Sequence, residues 1–229
     1  MRVGKHFLKA RMIKTGILLL FALGLCITAV MGDRIAAVAA SEIEDSKKIA
    51  ITFDDGPHPY YTEQLLDGLK ERGVKATFFV TGMHAEENPE VIRRMSEEGH
   101  LIGNHTYSHI QLSSANREVF KEELIKTNEA IEALTGQEVQ YVRPPYGTWD
   151  KKFEKELNMF PVLWTVDPLD WCSDNVAGIV QKVTSKVKEN AIILMHDEYK
   201  STVTAALQII DELMEEGYEF VTVDELLLD

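Results

Sequence analysis

Cysteine is almost absent from this chain of 229 residues, which contains only Cys26 and Cys172. Cys26 lies in an apolar N-terminal segment that is typical of a targeting leader. Without that segment a single thiol remains, so no internal disulfide can form. A domain of the remaining size can bury a full hydrophobic core and does not need one.

Positive charge is also scarce, with 24 Lys and Arg residues against 37 Asp and Glu residues and a formal net charge of -13. Six of the basic residues but only one acidic residue fall within residues 1–40, so the rest of the chain is more acidic still. Such a surface repels nucleic acid, which we therefore exclude as a partner. No sequence feature indicates a protein partner.

The N-terminus has the three parts of a secretory signal. Basic residues between positions 2 and 14 precede an uncharged apolar stretch, residues 15–32, and the small-residue sequence Ala37-Val38-Ala39-Ala40 follows. The apolar stretch is also close to the length that spans a bilayer. We therefore expect residues 1–40 to be a cleaved signal peptide or an uncleaved membrane anchor through residues 15–32. Both possibilities predict an exported protein. Its location would be extracellular, in the cell wall, or at the outer face of the cytoplasmic membrane.

The rest of the chain is a short polar linker, residues 41–47, followed by one domain, residues 48–229. In this domain short apolar runs such as Ile49–Phe53 and Val162–Val166 alternate with amphipathic helical segments. Such alternation indicates parallel strands joined by crossover helices. The pattern predicts an α/β fold, a distorted (β/α) barrel with about seven parallel strands, with a doubly wound sheet as the alternative. In both folds chemistry collects where strands end.

Two carboxylates follow the first apolar run. Asp54 and Asp55 are adjacent at its end and precede Gly56-Pro57. Adjacent carboxylates repel each other and must be solvated, paired or metal-bound. A simple turn is the structural alternative, because Asp and Gly-Pro favour turns.

Two histidines follow the strand predicted at Leu101–Gly103. His105 and His109 are four residues apart, a spacing that places both imidazoles on one face of a helical turn and suits two ligands of one metal. The spacing alone also occurs by chance on protein surfaces. Together with a carboxylate from another strand end, it predicts a site with two histidines and one carboxylate.

Three further strand ends carry polar or aromatic groups. The sequences are Arg143-Pro144-Pro145-Tyr146, Asp167-Pro168-Leu169-Asp170-Trp171 and Leu194-Met195-His196. Each has a structural alternative, namely a stiff turn, a capping carboxylate beside a packed aromatic residue, and a buried histidine. Because all three would share one barrel mouth with the predicted metal site, we interpret them as parts of a catalytic site.

These segments, with Thr52-Phe53-Asp54-Asp55-Gly56 and His105-Thr106-Tyr107-Ser108-His109, resemble in order and spacing the motifs of the polysaccharide deacetylases of carbohydrate esterase family 4, the NodB-homology domain. The resemblance extends from about Lys47 to the C-terminus. It implies a distorted (β/α) barrel, in agreement with the alternation of strands and helices.

The resemblance implies a role for each residue on the metal side of the site. Asp55, His105 and His109 match the metal ligands. Zinc is the expected cation, and cobalt, nickel or iron(II) also suit such a donor set. Asp54 matches the general base that deprotonates the attacking water, and Arg143 matches the residue that orients this base.

The resemblance also implies the groups on the leaving-group side. His196 matches the general acid that protonates the leaving amine, and Asp170 matches the carboxylate that orients it. Tyr146 matches the residue whose backbone N–H stabilises the oxyanion, while Trp171 and Leu194 match residues that line the pocket for the acetyl methyl group. One position departs from the pattern, since Asp174 stands where family members often carry Arg.

The main hypothesis is therefore a metal-dependent N-deacetylase of polymers of N-acetylglucosamine or N-acetylmuramic acid. We expect peptidoglycan as the first substrate and chitin oligomers as the second, with acetylated xylan, attacked as an ester, as an alternative. A catalytically dead carbohydrate-binding protein is a second class, which loss of Asp54, Asp55 or His196 would indicate. A non-haem iron oxygenase is a third, because the ligand set alone would permit it.

Overall fold

The structure is a computed structural model that describes residues 47–228. A seven-stranded sheet organises this part of the chain. Its strands are β1 (Lys47–Asp55), β2 (Thr77–Val80), β3 (Leu101–Asn104), β4 (Tyr141–Val142), β5 (Phe160–Pro161), β6 (Ile192–His196) and β7 (Tyr218–Phe220). The predicted leader, residues 1–40, and all but the last residue of the predicted linker, residues 41–47, lie outside the described residues.

Eight α-helices connect or follow the strands in the described part. They are α1 (Tyr61–Arg72), α2 (Gly82–Glu87), α3 (Pro89–Glu97), α4 (Arg117–Thr135), α5 (Lys152–Leu157), α6 (Val176–Thr184), α7 (Lys200–Glu215) and α8 (Val223–Leu228). Short 3₁₀ turns cover Pro145–Gly147 and Asp170–Cys172. Between residues 47 and 228, no helix has both the length and the apolar character needed to cross a membrane.

All strand pairs are parallel, and the order across the sheet is β5-β4-β3-β2-β1-β6, with β7 also pairing with β1. Each strand from β1 to β5 lies beside the one before it, and β6 returns to the other side of β1. A doubly wound sheet would instead reverse its order near the middle. The predicted α/β fold with about seven parallel strands in a distorted barrel is confirmed.

The first strand is the centre of the core because neighbours cover it on both sides. Its residues from Ile49 to Asp54 are all buried, as expected for a parallel strand packed on both faces. The apolar faces of α1 and α7 contribute Leu65, Leu69, Ile209 and other buried side chains to the same core. The core therefore fixes the carboxyl end of β1, where Asp54 and Asp55 follow.

The segment after β5 differs from the predicted strand Val162–Val166. The paired strand is Phe160–Pro161, and only Val166 makes an isolated bridge, to Ile193 of β6. The carbonyl oxygens of Val162 and Leu163 accept hydrogen bonds from the Arg143 guanidinium. The Val162 N–H still donates to Val142 of β4 and the Thr165 N–H to Ile192 of β6. The carbonyl groups between them thus solvate a buried cation instead of extending a strand ladder.

Candidate active site

The two carboxylates at the end of β1 take different directions. Asp54 is buried and is the register partner of His196 on β6, so these two residues lie side by side on neighbouring parallel strands. Asp55 has a positive φ of 75°, which turns the chain away from the strand. Non-glycine residues rarely adopt this conformation, and it is concentrated at functional sites.

Asp55, His105 and His109 form the one group in the described residues with the spacing of a metal site. One ligand atom from each residue lies within 4.8 Å of the other two. The Oδ1 atom of Asp55 is 3.4 Å from Nε2 of His105 and 3.3 Å from Nε2 of His109. This oxygen is buried and accepts no hydrogen bond among the described residues, although a buried carboxylate oxygen normally has a partner. The donor set therefore fits a divalent cation.

The charges of Asp55 and His109 agree with binding of a cation. Burial alone would raise the pKa of Asp55, but the imidazoles of His105, His109 and His196 outweigh it and lower the pKa to about 2. Burial and the neighbouring His105 lower the pKa of His109, although the charge of Asp55 opposes them. An ionised carboxylate and a neutral imidazole are the forms that bind metal.

The backbone that carries the two histidines is not the helical turn predicted from their spacing. Residues 105–109 form an irregular loop after β3, and Thr106 and His109 have positive φ values of 62° and 56°. The two imidazoles still meet, with ring centroids 4.9 Å apart. The two histidines predicted from their spacing therefore lie together, but the expected helical geometry is wrong, because two residues of the loop have left-handed backbone conformations.

Arg143 makes hydrogen bonds with both Asp54 and His105. Its side chain is fully buried, and its Nη1 donates to Oδ1 of Asp54 at 2.8 Å and to Oγ1 of Thr52 at 2.5 Å. Its main-chain oxygen lies 2.5 Å from Nδ1 of His105. Since a carbonyl can only accept, His105 donates from Nδ1 and presents Nε2 towards Asp55. One residue thus orients the predicted base and one predicted ligand.

Asp170 holds His196 in the same manner. Its Oδ1 is 3.0 Å from Nδ1 of His196, and its Oδ2 accepts hydrogen bonds from the His196 N–H and the Thr202 hydroxyl. Burial would lower the pKa of His196, but Asp170, with the charges of Asp54 and Asp55, outweighs burial and raises the pKa to about 9. In the metal-free protein His196 is therefore protonated at neutral pH, which is the form that a general acid requires.

Tyr146 presents its backbone to the site in an unusual conformation. Its φ is 59°, inside the 3₁₀ turn that follows Pro144. Its N–H has no acceptor among the described residues, while the next N–H, that of Gly147, donates to the Pro144 oxygen. A strained residue with a free N–H at a catalytic pocket has the character of an oxyanion donor.

These residues open into one cavity of about 370 Å³. Its lining contains eight residues predicted from the sequence, namely Asp54, Asp55, His105, His109, Tyr146, Trp171, Leu194 and His196. Arg143 and Asp170, the remaining two, lie behind it and contact Asp54 and His196. Tyr146 and Trp171 are 66% and 54% exposed, so their rings are free to contact a sugar at the rim.

The cavity is also lined by four residues to which the sequence analysis gave no individual role. They are Pro144, Trp164, Asp167 and Tyr199. The first three lie in or beside segments singled out from the sequence, so their position at strand ends was an available signal. Tyr199 was missed because it lies outside the quoted segments, three residues after His196 and immediately before the first residue of α7.

The position that departs from the resemblance, Asp174, is exposed and lies 3.5 Å from the Ser201 hydroxyl. The partners of Asp170 are instead Thr202 and His196. The carboxylate of Asp170 is therefore fully bonded without a guanidinium at position 174.

Comparison with known families agrees with this arrangement. The family model described as polysaccharide deacetylase matches residues 41–162. The chain belongs to the polysaccharide deacetylase family. The family is metal-dependent, and within residues 47–228 Asp55, His105 and His109 form the group that can hold a cation.

Three relatives illustrate the family. The peptidoglycan-N-acetylglucosamine deacetylase PgdA of Listeria monocytogenes is 40% identical over 181 residues, which cover 79% of this chain and 39% of the relative. The peptidoglycan-N-acetylmuramic acid deacetylase PdaC of Bacillus subtilis is 40% identical over 182 residues, 80% of this chain and 39% of PdaC. A chitooligosaccharide deacetylase of Rhizobium leguminosarum bv. trifolii is 42% identical over 157 residues, 67% of this chain and 73% of that protein.

A solved structure of PdaC matches the fold with a TM-score of 0.75 at 39% identity, covering 80% of this chain and 90% of the solved chain. The chain spans about two-fifths of the full length of PgdA and PdaC. The match therefore concerns only part of each of those longer proteins.

Proposed function

We propose that this protein is a metal-dependent hydrolase that removes N-acetyl groups from a polysaccharide, with peptidoglycan as the first substrate and chitin oligomers as the second. One observation carries the proposal. Asp54 and His196 are register partners on neighbouring strands, and they share a cavity with Asp55, His105 and His109. A base, an acid and a cation-binding group within reach of one bond are what amide hydrolysis needs.

Each step of the reaction has a group in place. A divalent cation held by Asp55, His105 and His109 would polarise the acetamide carbonyl and lower the pKa of a coordinated water. Asp54 takes a proton from the attacking water, and Arg143 holds its Oδ1 atom so that Oδ2 remains available. The backbone N–H of Tyr146 donates to the oxygen that becomes negative as the water adds to the carbonyl carbon.

The carbon–nitrogen bond then breaks, and the leaving amine needs a proton. His196 supplies it from Nε2, because its Nδ1 donates to Asp170. The products are acetate and a free amino sugar. Trp171 and Leu194 line the cavity beside these groups and would contact the acetyl methyl group.

Zinc is the proposed native cation. Two imidazole nitrogens and one carboxylate oxygen suit zinc, and cobalt, nickel or iron(II) also bind such sets. The proposed location is outside the cytoplasmic membrane, either released or tethered through residues 15–32. Its support is the basic, apolar and small-residue sequence of residues 1–40.

Three alternatives would use these residues differently. An acetylxylan esterase would need the same water activation but would break a carbon–oxygen bond. A catalytically dead carbohydrate-binding protein would not need the proton-transfer groups, yet Asp54, Asp55 and His196 are all present. An iron oxygenase would need only the three ligands, so the adjacent base and acid favour hydrolysis.

The test is acetate release from peptidoglycan, chitin oligomers and acetylxylan, measured with and without a chelator and under air or nitrogen. We expect release from peptidoglycan first, loss with the chelator, recovery with added zinc, and no effect of oxygen. The Asp54→Asn variant is the matched control, because it leaves all three ligands in place. Release from acetylxylan alone, or from no polymer at all, would contradict the proposal.

A further inference from the structure

Of the two imidazoles in the metal-binding group, only that of His105 is fixed by a hydrogen bond from its ring among the described residues. The ring of His105 is buried and its Nδ1 donates to the Arg143 oxygen. The ring of His109 is about one-third exposed, and within residues 47–228 no hydrogen bond fixes its Nδ1 atom. Its ring packs against His105 and edge-on against Tyr146, with centroids 4.9 and 5.2 Å away. These contacts give no directional hydrogen bond, so the position of His109 also depends on the backbone that carries it.

That backbone is held from the side of α4. Both oxygens of the Glu123 carboxylate accept from Ser108, the residue before His109. The Ser108 N–H donates to Oε2 at 2.6 Å, and the Ser108 hydroxyl donates to Oε1 at 2.9 Å. Two charge-assisted bonds from one carboxylate fix both the place and the direction of the group they bind.

The rest of the loop is held at its other end. The Thr106 N–H donates to the Asn104 side chain, and the Thr106 oxygen accepts from the Gly82 N–H at the start of α2. These bonds fix the loop before Ser108. Between Ser108 and the left-handed conformation of His109, at φ 56°, the Glu123 bonds are the side-chain contacts that restrain the chain.

We propose that Glu123 is a positioning residue for metal binding, which holds His109 where its Nε2 meets Asp55 and His105. The inference rests on the proposed function, because it concerns the same cation site. Glu123 touches neither the cation ligands nor the cavity lining, so its effect passes through Ser108. Removing an outer partner of a metal ligand typically weakens metal affinity by about 10- to 100-fold.

The experiment compares cobalt(II) and zinc affinities of the purified protein, measured by competition with a chromophoric chelator. Glu123→Ala should weaken both affinities by about tenfold. Glu123→Gln keeps one acceptor for Ser108 and should weaken them less. Glu122→Ala is the matched control, because Glu122 is exposed on the same helix and its side chain makes no hydrogen bond or ion pair within residues 47–228, and this variant should bind as the wild type does.

The cobalt absorption spectrum separates positioning from general destabilisation. With His109 released, the spectrum of Glu123→Ala should move towards that of His109→Ala, while the thermal midpoint of the metal-free protein stays close to wild type. If Glu123→Ala does not fold, the affinity of Glu123→Gln decides. Wild-type affinity in both Glu123 variants would overturn this inference alone, whereas a wild-type protein that takes up no metal would overturn the proposed function as well.

Discussion

A single carboxylate, that of Asp170, binds both the main chain and the ring of His196. Its Oδ2 accepts the His196 N–H at 2.8 Å and its Oδ1 lies 3.0 Å from Nδ1. The Thr202 hydroxyl adds a third bond to Oδ2 at 2.7 Å. Asp170 therefore holds the ring in a fixed orientation relative to the end of β6. The same carboxylate stabilises the positive charge of the ring and sets the direction of its Nε2 atom.

The first prediction concerns the pH dependence that this contact creates. His196 acts as an acid, so activity should fall as the pH rises through its pKa. Asp170→Asn removes the negative charge that raises this pKa, and the alkaline limb of the pH–rate profile should move to lower pH. A bound cation also opposes protonation of His196, so the limb of the loaded enzyme should lie below the value of about 9 for the metal-free protein.

The matching measurement is an NMR titration of the His196 ring in metal-free protein. The wild-type pKa should be about 9, and that of Asp170→Asn should be clearly lower. Thr202→Val is the control, since it removes one neutral hydrogen bond but leaves the Asp170 charge. An unchanged pKa in Asp170→Asn would show that this carboxylate does not support the charge of His196.

The second prediction separates proton transfer from metal binding. Asp54→Asn and His196→Ala should each keep close to one equivalent of metal, because Asp55, His105 and His109 remain. Each should lose about 10²- to 10⁴-fold in turnover, the usual contribution of one acid or base. Mass spectrometry measures whether each variant keeps its metal, and acetate release measures its turnover. Near-wild-type turnover in either variant would remove that residue from its role.

Local sequence patterns predicted most of the site because each strand end is marked by its own residues. The apolar run before Asp54 is buried by neighbours on both sides, so its bounds follow from hydrophobicity alone. The register of Asp54 with His196 could not be deduced in this way, because these two residues are 142 positions apart along the chain and their strands are paired by packing. The strand-end pattern placed both residues at one barrel mouth, and the family resemblance implied their roles as base and acid, but neither predicted that they are direct register partners.

The errors fall where tertiary contacts override local preference. The segment predicted as a strand at Val162–Val166 gives its carbonyl groups to Arg143, which no local pattern reveals. The helix α2, Gly82–Glu87, was not predicted because it is six residues long and carries no apolar stripe. Tyr199 reaches the cavity only through the path of α7 beside β6.

The third prediction concerns the N-terminus. If residues 1–40 are a cleaved signal, N-terminal sequencing of the native protein should begin close to Ala40. If they are an anchor, the protein should fractionate with membranes and keep its first residues. Full-length protein free in the cytoplasm would contradict both forms of the prediction.

The last prediction concerns Asp197, a fully buried carboxyl group next to the predicted acid His196. Thr62 donates a hydrogen bond to its Oδ2, while its Oδ1 has no partner among the described residues and lies against Gly56. Burial raises the pKa of Asp197 to about 7, with smaller contributions from the charges of Glu198 and Asp55, although the Thr62 bond opposes the shift. The folded protein therefore binds a proton that the unfolded chain has already released near pH 5.

Because the folded state binds more protons, the free energy of unfolding should fall as the pH rises from about 5 to about 7, and then level off. One pKa unit corresponds to about 1.4 kcal/mol, so Asp197 should contribute a loss of about 3 kcal/mol over this range. Asp197→Asn is neutral at every pH and keeps an acceptor for Thr62, so its stability should depend less on pH by that amount. Urea unfolding of metal-free protein at pH 5 and pH 8 measures the difference, since the contributions of groups that do not interact with Asp197 cancel between variant and wild type. The exposed Asp174→Asn variant should keep the wild-type dependence, and an Asp197→Asn variant that does the same would show that Asp197 stays ionised in the folded protein.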